Sequence, residues 1–342
     1  MSGLFVQKHV EAVRAQGEDV RVIFSQGWCD TWRQWKALRR EGWMPDVVQL
    51  NVIQKQGLLA LWLKKRYGIP YIIVEHWSGY LPENGVFMSM PWWQRKIYRS
   101  VAEAAQMILT VSDRLAEAMK ACGITNSRWG QIHNVVDDFF FEKPDVIRKN
   151  PEIPDFIGIK TLLHVSCFDE RAKNVKGLLR AAKMLSEKRQ DWRLVLVGTG
   201  VDYADVRAFA DSLHIPEGLL EWTGELTPRE VAQRMHQADA LVLSSRYETY
   251  GIVLAEAVTA GLPILSTPVG IAEEIADLIV PQEIAQHKPG TFAEFIESIL
   301  WNADRCADGN PARKDLLPDR FTKGTIGKKL KSVYDSCLHR DI

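Results

Sequence analysis

Hydrophobic and polar positions alternate along the chain in two recurring patterns. Short apolar runs rich in β-branched residues predict buried strands, and most are followed by a stretch with helical spacing. Four such runs occur in the first half, at residues 20–24, 46–50, 71–74 and 107–111, and four in the second, at 161–165, 193–197, 240–243 and 263–266. This β-α-β alternation predicts an α/β protein with parallel sheets.

The chain length and a break in the periodicity predict two domains. A chain of 342 residues exceeds the usual size of one domain, and the periodicity stops between residues 141 and 159, where prolines and charges are typical of a linker. We therefore expect an N-terminal domain at 1–143, a C-terminal domain at 144–320 and a terminal helix within 321–342.

Composition excludes several classes of protein. Hydrophobic residues make up 46% and charged residues 25%, and the formal net charge is zero, so neither a disordered tail nor a dedicated nucleic-acid binder fits. No apolar run is long enough to span a membrane, and the start lacks the pattern of a secretory signal. The five cysteines are scattered without paired spacing, which predicts reduced thiols and a cytoplasmic protein.

Charge is divided unevenly along the chain. Residues 1–143 contain 18 Lys and Arg against 14 Asp and Glu, whereas the remainder contains 25 against 29. In the basic half, residues 32–40 and 92–99 each combine tryptophans with Lys and Arg. Such helices either contact a membrane surface or bury their aromatic face in the core. A weak, peripheral contact with the inner membrane face is one expectation, and an ordinary packed helix is the other.

The most informative segment runs from Ser244 to Ala257, where a predicted strand is followed by a loop and a helix. The backbone N–H groups of Tyr250, Gly251 and Ile252 would lie at the helix N-terminus, which attracts phosphate. Glu248 and Glu256, on either side, are poor phosphate ligands but good acceptors for hydroxyl groups. Because ligands of parallel sheets bind beyond the carboxyl ends of the strands, this segment predicts a site for a sugar diphosphate.

These residues give the chain its resemblance to a known family. The region from Leu162 to Glu274 closely resembles the donor-binding half of the retaining glycosyltransferases of group 1, whose Glu-x7-Glu signature is matched by Glu248 and Glu256. Further matching segments are Lys173-Asn174, residues 197–200, 222–225, 261–263 and 267–270, and, more loosely in the first half, residues 5–9, 74–76 and 134–137. The resemblance implies a GT-B fold, with two Rossmann-like domains whose parallel sheets face each other across a cleft, and a terminal helix that packs back on the N-terminal domain.

The resemblance also implies roles for individual residues. Glu248 would contact hydroxyls of the transferred sugar, Glu256 the ribose of the nucleotide, and Lys173 the diphosphate. Stabilising the charge of a departing diphosphate is an electrostatic task that suits a lysine. His76 would lie near the donor sugar. The donor is a substrate, and we expect neither a cofactor nor a metal, because the chain has no Asp-x-Asp triplet and no zinc-like spacing.

Three departures from the family pattern stand out. The family usually has an arginine where this chain has Cys167, and Arg171 is the expected substitute. Gly270-Ile271 replaces a common Gly-Gly pair. Only Ser2-Gly3-Leu4 precedes the first helix, so we expect the family's first strand to be missing, with unpaired edges in the sheet and Gly3 as the remnant of a loop near the donor.

The function we expect is transfer of a sugar, with retention, from a nucleoside diphosphate sugar to a hydroxyl of a glycan or lipid-linked acceptor, in polysaccharide or glycolipid assembly. Two alternatives stay open. One is a GT-B nucleotide-sugar epimerase, and the other is a non-catalytic donor-binding module that has lost its first strand. A nicotinamide enzyme is disfavoured, because Gly198 and Gly200 are not followed by the third glycine of that fingerprint: Tyr203 stands there.

Overall fold

The computed structural model describes residues 3–24, 27–142, 159–275 and 318–338, which divide into two compact units. The first unit comprises Met1–Val135 and Arg320–Ile342, and the second comprises Val136–Asp319. The sequence-based border between residues 143 and 144 lies outside the described residues, as does most of the proposed linker. Among the described residues, no helix is both long enough and apolar enough to cross a membrane.

The first unit contains a parallel four-stranded sheet in the order β1-β2-β3-β4. Its strands are β1 (Val48–Asn51), β2 (Tyr71–Glu75), β3 (Met107–Thr110) and β4 (Trp129–Gln131). Its helices are α1 (Leu4–Arg14), α2 (Trp28–Arg40), α3 (Gly57–Tyr67), α4 (Val86–Ser89), α5 (Trp92–Ala104), α6 (Asp113–Ala121) and the terminal α12 (Lys323–Leu338). Every residue of β2 is buried, as expected of an inner strand covered on both faces.

The prediction of a strand at residues 20–24 is wrong. This segment is irregular, because an apolar alternation becomes a strand only where a neighbour supplies ladder hydrogen bonds, and none of the described strands pairs with it. Val20 and Ile23 nevertheless pack against two separate apolar clusters, while Val22 and Phe24 are exposed. The segment therefore follows its hydrophobic pattern without joining the sheet.

The terminal helix α12 packs against α1 within the first unit. Ile326 and Leu330 of α12 are buried in the same cluster as Ala12 and Val13 of α1. Gly327 allows a very close approach, since a Cβ atom at this position would lie 2.3 Å from the Ala12 carbonyl oxygen. The close contact ties α1 to the C-terminal end of the described chain.

The second unit contains a parallel five-stranded sheet in the order β7-β6-β5-β8-β9. Its strands are β5 (Lys160–Val165), β6 (Trp192–Val197), β7 (Leu220–Gly224), β8 (Ala240–Leu243) and β9 (Ile264–Ser266). Its helices are α7 (Glu170–Lys173), α8 (Val175–Ser186), α9 (Tyr203–Ser212), α10 (Pro228–Gln237) and α11 (Ile252–Thr259). The carboxyl ends of the neighbouring strands β5 and β8 lead into the loops that carry Lys173 and Glu248.

Candidate active site

The loop between β8 and α11 carries the first candidate residue, Glu248. Strand β8 is buried at all four positions, which anchors the start of the loop in the core. Ser245 lies in this loop and is wholly buried, and its hydroxyl donates to the Glu248 carboxylate at 2.8 Å. The Glu248 side chain is only 13% exposed, so its carboxylate has a defined position rather than a solvated one.

The loop after β5 brings Lys173 to the same place. Lys173 ends α7, and Asn174 follows in the left-handed conformation with a φ of 52°, so the chain turns and starts α8 at once. Asparagine tolerates this conformation better than most residues. Ser244 fixes the turn, because its hydroxyl bonds the carbonyl oxygens of Lys173 at 3.0 Å and Asn174 at 3.2 Å.

Lys173 and Glu248 form a largely buried ion pair, with 2.5 Å between Nζ and Oε1. Burial acts to lower the pKa of the Lys173 ammonium, but attraction to the Glu248 carboxylate and their hydrogen bond outweigh it, so the pKa is raised. The lysine is therefore charged at neutral pH. An ammonium has three N–H donors, and one is directed at Glu248, which leaves capacity for an anionic ligand.

Arg246 joins the two loops. Its backbone N–H donates to the Ala172 carbonyl oxygen at 2.7 Å, and its guanidinium bonds the Asn174 side-chain oxygen at 2.7 Å and the carbonyl of Glu170. The sequence analysis did not identify Arg246, because nothing in its spacing marks a residue that holds a loop distant in the chain. Ser245 was also missed, because nothing in its spacing shows that its hydroxyl is buried against Glu248.

Helix α11 begins immediately after Gly251, whose φ of 77° lies in the left-handed region that favours glycine. Its first residue is Ile252, and its first backbone N–H groups have no partner within the helix, as at every helix N-terminus. Glu256 lies one turn further, half-buried, and Tyr250 precedes the cap, buried. An anion-attracting helix end and two flanking carboxylates therefore occur together at this loop.

Gly270 holds the next loop against the Glu248 loop. Its φ is 56°, and a Cβ atom there would lie 2.1 Å from the Tyr250 carbonyl oxygen. The same oxygen accepts the backbone N–H of Ile271 at 2.9 Å. The Ile271 N–H is therefore used to hold the two loops together. In the family pattern, the second glycine at this position is expected to approach the donor.

Arg171 and Cys167 lie near Lys173, both exposed. Arg171 belongs to α7, and its carbonyl oxygen is 3.4 Å from the Arg246 guanidinium. Gly3 belongs to the first unit, where it caps α1 with its carbonyl oxygen accepting from Gln7. Its φ of −94° and the open space around it place no demand for glycine at this position.

His76 follows β2 in the first unit and packs against Phe5 and His9 of α1. We call these three residues the His76 corner. The His76 ring stacks on Phe5 with 6.0 Å between centroids and contacts the ring of His9 at 5.8 Å. Burial and the proximity of His9 lower its pKa to about 3, so the imidazole is neutral at physiological pH. Its Nε2 atom is buried and has no hydrogen-bond partner among the residues described.

The neighbouring Glu75 is a fully buried carboxyl group. It accepts the backbone N–H groups of Ile53 at 3.0 Å and of His76 and Trp77 at 2.9 Å. Burial raises its pKa to about 7, against the opposite effect of these hydrogen bonds. Glu75 therefore fixes the backbone at the end of β2, which determines where the His76 side chain starts.

The two tryptophan-rich segments differ in exposure. In α2, Trp35 is buried and Trp32 packs edge-on against Trp62, with 5.1 Å between ring centroids. In α5, Trp92 and Trp93 are 70% and 45% exposed. In the described part of the chain no cluster of His, Cys, Asp and Glu has the arrangement of a metal site.

Comparisons with known proteins match both halves of the chain. Residues 151–314 match the family described as glycosyl transferases group 1, and residues 5–138 match glycosyltransferase family 4. N-acetyl-alpha-D-glucosaminyl L-malate synthase of Bacillus anthracis is 28% identical over 51% of this chain and 44% of its own length. Alpha-monoglucosyldiacylglycerol synthase of Streptococcus pneumoniae is 24% identical over 64% of this chain and 52% of its own length. The chain thus spans about half the length of these curated relatives.

Solved structures resemble the whole described fold. Sucrose-phosphate synthase from Thermosynechococcus elongatus superposes with a TM-score of 0.77 at 16% identity, covering 99% of this chain and 94% of its own. Anabaena HepE, solved in complex with UDP and glucose, superposes with a TM-score of 0.72 at 18% identity, covering 88% of this chain and 81% of its own. At these identities the similarity concerns the fold.

Proposed function

Because the chain matches the family of group 1 glycosyltransferases and has the GT-B fold, we propose that it transfers a sugar, with retention, from a nucleoside diphosphate sugar to an acceptor hydroxyl. The observation that carries the proposal is the Lys173–Glu248 ion pair in the loops that follow β5 and β8. Helix α11 begins at Ile252, four residues after Glu248.

Each group of this site suits a different part of the donor. The N-terminus of α11 and the Lys173 ammonium together attract the diphosphate and offset the charge that grows on it as it leaves. Glu248 accepts hydrogen bonds from hydroxyls of the transferred sugar, and Glu256, one turn into α11, accepts them from the ribose. Arg171 and the backbone of Tyr250, Gly251 and Ile252 complete the proposed donor site.

Lys173 and the helix end supply positive charge from the protein itself, which supports a transfer that requires no metal. Retention is supported by the resemblance to the retaining enzymes of the family. In the proposal His76 also contacts the donor sugar, through its neutral imidazole. Gly3 was predicted near the donor, and this assignment stays a prediction, since its position as the cap of α1 neither requires glycine nor contributes a side chain.

The setting proposed is polysaccharide or glycolipid assembly in the cytoplasm, with a glycan or lipid-linked acceptor. The relatives include a synthase named for a glucosyldiacylglycerol, and HepE was solved with UDP and glucose. These names support a nucleotide-sugar donor and a lipid-linked acceptor for this chain. The test therefore covers several donor sugars and two bases.

Exposed apolar side chains on α4 and α5 support the further proposal of a peripheral membrane contact. Val86, Met88, Trp92 and Trp93 are 39%, 55%, 70% and 45% exposed, and Lys96 is exposed on the same helix α5. Tryptophan and lysine together are suited to the headgroup region of an anionic bilayer. Segment 32–40 does not support such a contact, because its tryptophans pack inward.

The transfer proposal is tested by incubating the full chain with labelled UDP-glucose, UDP-galactose, UDP-N-acetylglucosamine or GDP-mannose, with and without a lipid and glycan extract, in EDTA. We expect label to enter the extract from one donor, and NMR of the product to show the anomeric configuration of that donor. A chemically changed nucleotide sugar without acceptor would favour the epimerase. Thermal stabilisation by a donor without turnover would favour the binding module.

The membrane proposal is tested by sedimentation with vesicles of phosphatidylglycerol and phosphatidylcholine. We expect binding that weakens with salt and is lost in the double variant Trp92→Ala/Trp93→Ala. Trp28→Ala is the matched control, because Trp28 is 46% exposed but lies on α2. Equal binding by the double variant and the control would contradict the proposal.

A further inference from the structure

Among the polar atoms of the first unit that are buried without a hydrogen-bond partner in the described part of the chain, three belong to residues on or beside helix α1. They are Nδ1 of His9, Nε2 of His76 and the side-chain oxygen of Asn134. His9 and Asn134 are each only 1% exposed. Buried polar atoms in folded proteins are nearly always paired, so several together need an explanation, and a ligand that pairs them is one.

Helix α1 connects these atoms. Phe5 and His9 are one helical turn apart and both contact the His76 ring, Phe5 nearly parallel to it at 10° and His9 tilted by 45°. On its other side, His9 Nε2 lies 3.2 Å from the carbonyl oxygen of His133, the neighbour of Asn134. Because a carbonyl oxygen only accepts, His9 carries its proton on Nε2, and its buried Nδ1 is left as an acceptor.

The charge state of the corner selects the kind of ligand. Burial lowers the pKa of His9 to about 4, and burial with the proximity of His9 lowers that of His76 to about 3. Both rings are therefore neutral at pH 7, each with one donor and one acceptor. A neutral imidazole edge suits a hydroxyl group, which also donates and accepts, better than it suits a phosphate.

We propose that Phe5 and His9 are positioning residues, which hold the His76 ring so that its unpaired Nε2 binds a hydroxyl group of a sugar substrate. This inference rests on the proposed function and extends it to α1. Phe5 covers one face of the imidazole and His9 restrains it from a second direction. The contact between Gly327 of α12 and Ala12 holds α1 in place, so the ring is fixed by packing rather than by hydrogen bonds of its own Nε2.

The test compares three variants on the donor that the transfer assay identifies. His9→Leu removes the ring and keeps an apolar side chain, and we expect a tenfold or larger loss of kcat with the donor KM changed less than threefold. His9→Phe restores a ring against His76, and we expect at least a third of the wild-type kcat. Val13→Ala weakens the packing of the same helix without touching His76, so it should lower the melting temperature and leave kcat intact.

A kcat that falls only in proportion to the melting temperature, or an unchanged kcat in His9→Leu, would overturn the inference. Long-range ¹H–¹⁵N spectra of the histidine side chains separate this failure from that of the proposed function. In wild type and His9→Phe we expect one sharp set of His76 signals at pH 7, and in His9→Leu broadened or doubled signals. If no donor is turned over, the proposed function fails, and unchanged His76 signals in His9→Leu would overturn the positioning role as well.

Discussion

The Lys173–Glu248 site and the His76 corner both lie where parallel strands end, yet they are built in opposite ways. The first is charged and internally paired, since Lys173 and Ser245 both bond the Glu248 carboxylate. The second is neutral and leaves buried nitrogen atoms of His9 and His76 without partners among the described residues. The same position in a sheet thus carries the proposed anion-binding site in one unit and the proposed hydroxyl-binding residues in the other.

The two sites keep their geometry through different kinds of contact. The charged site is held by long-range polar contacts, above all those of Arg246 and Ser244 with the Lys173 loop. The neutral corner is held by aromatic packing from a single helix. We therefore expect the charged site to be sensitive to the loss of one partner, and the neutral corner to be sensitive to acid.

The largest effect is expected from Glu248→Gln. The change keeps the shape of the side chain but removes the charge that faces Lys173. In the proposal, binding of the transferred sugar by Glu248 depends on that carboxylate. We expect turnover to fall by about 10²–10³-fold, as for other groups that stabilise a transition state. The exposed Glu217→Gln is the control. Steady-state kinetics with the identified donor make the measurement, and equal turnover in both variants would refute the role of Glu248.

The packing of the loops around the charged site is tested by Gly270→Ala. The new methyl group would overlap the Tyr250 carbonyl oxygen at a positive φ, so we expect a loss of about 3 kcal/mol in unfolding free energy. Gly261→Ala is the matched control, with a φ of 71° and nothing within 4 Å, and should cost about 1 kcal/mol. Denaturant titration compares them, and equal losses would show that the loop contact is unimportant.

Acid should destabilise the neutral corner. His9 and His76 have pKa values lowered to about 4 and about 3, so the unfolded chain binds more protons below its own pKa of 6.5, and stability falls as the pH drops. Glu75, with its pKa raised to about 7, acts in the opposite direction and offsets one imidazole. From these three groups the net loss between pH 6.5 and 5 should be about 1.5 kcal/mol, at about 1.4 kcal/mol per pKa unit. Melting curves should show a smaller loss in His9→Leu, and an identical pH profile would contradict this account.

The smallest effect is expected from Glu256→Gln. Glu256 is half-buried in α11, and in the proposal it accepts a hydrogen bond from the ribose. We expect about tenfold weaker nucleotide binding, about 1.4 kcal/mol, with turnover at saturating donor changed only a few-fold. Calorimetric titration with UDP or GDP makes the measurement. A large loss of turnover with unchanged binding would assign Glu256 to the reaction rather than to the nucleotide.

Most of the fold was predictable because buried parallel strands leave a strong apolar signature. The fully buried β2 and β6 lie where the runs at 71–74 and 193–197 predicted them. The group 1 resemblance and the GT-B fold are confirmed. Strand β4, only three residues long and half-buried, gave no such signature and was missed. Residues 20–24 had the signature but pair with none of the described strands.

The candidate site was predictable only as far as its residues are close in the chain or match the family pattern. Glu248, Gly251 and Glu256 follow one another within a single loop and helix, so their spacing carries the signal. Arg246 bonds Glu170, 76 positions earlier in the chain, and Ser245 bonds Glu248 through a buried hydroxyl. The local spacing of the sequence shows neither contact. His9 likewise becomes notable only because the fold places it against His76.

The order of residues alone established the α/β class, the parallel strands and the Glu248 loop before its helix, because periodicity and helix-start chemistry are local properties of the chain. Tertiary structure decided that Lys173 pairs with Glu248, that α1 covers His76 and that residues 20–24 do not join the sheet. Those outcomes depend on which distant segments pack together, since a charge, a ring or a strand edge acquires its role only from the neighbour that the fold brings to it.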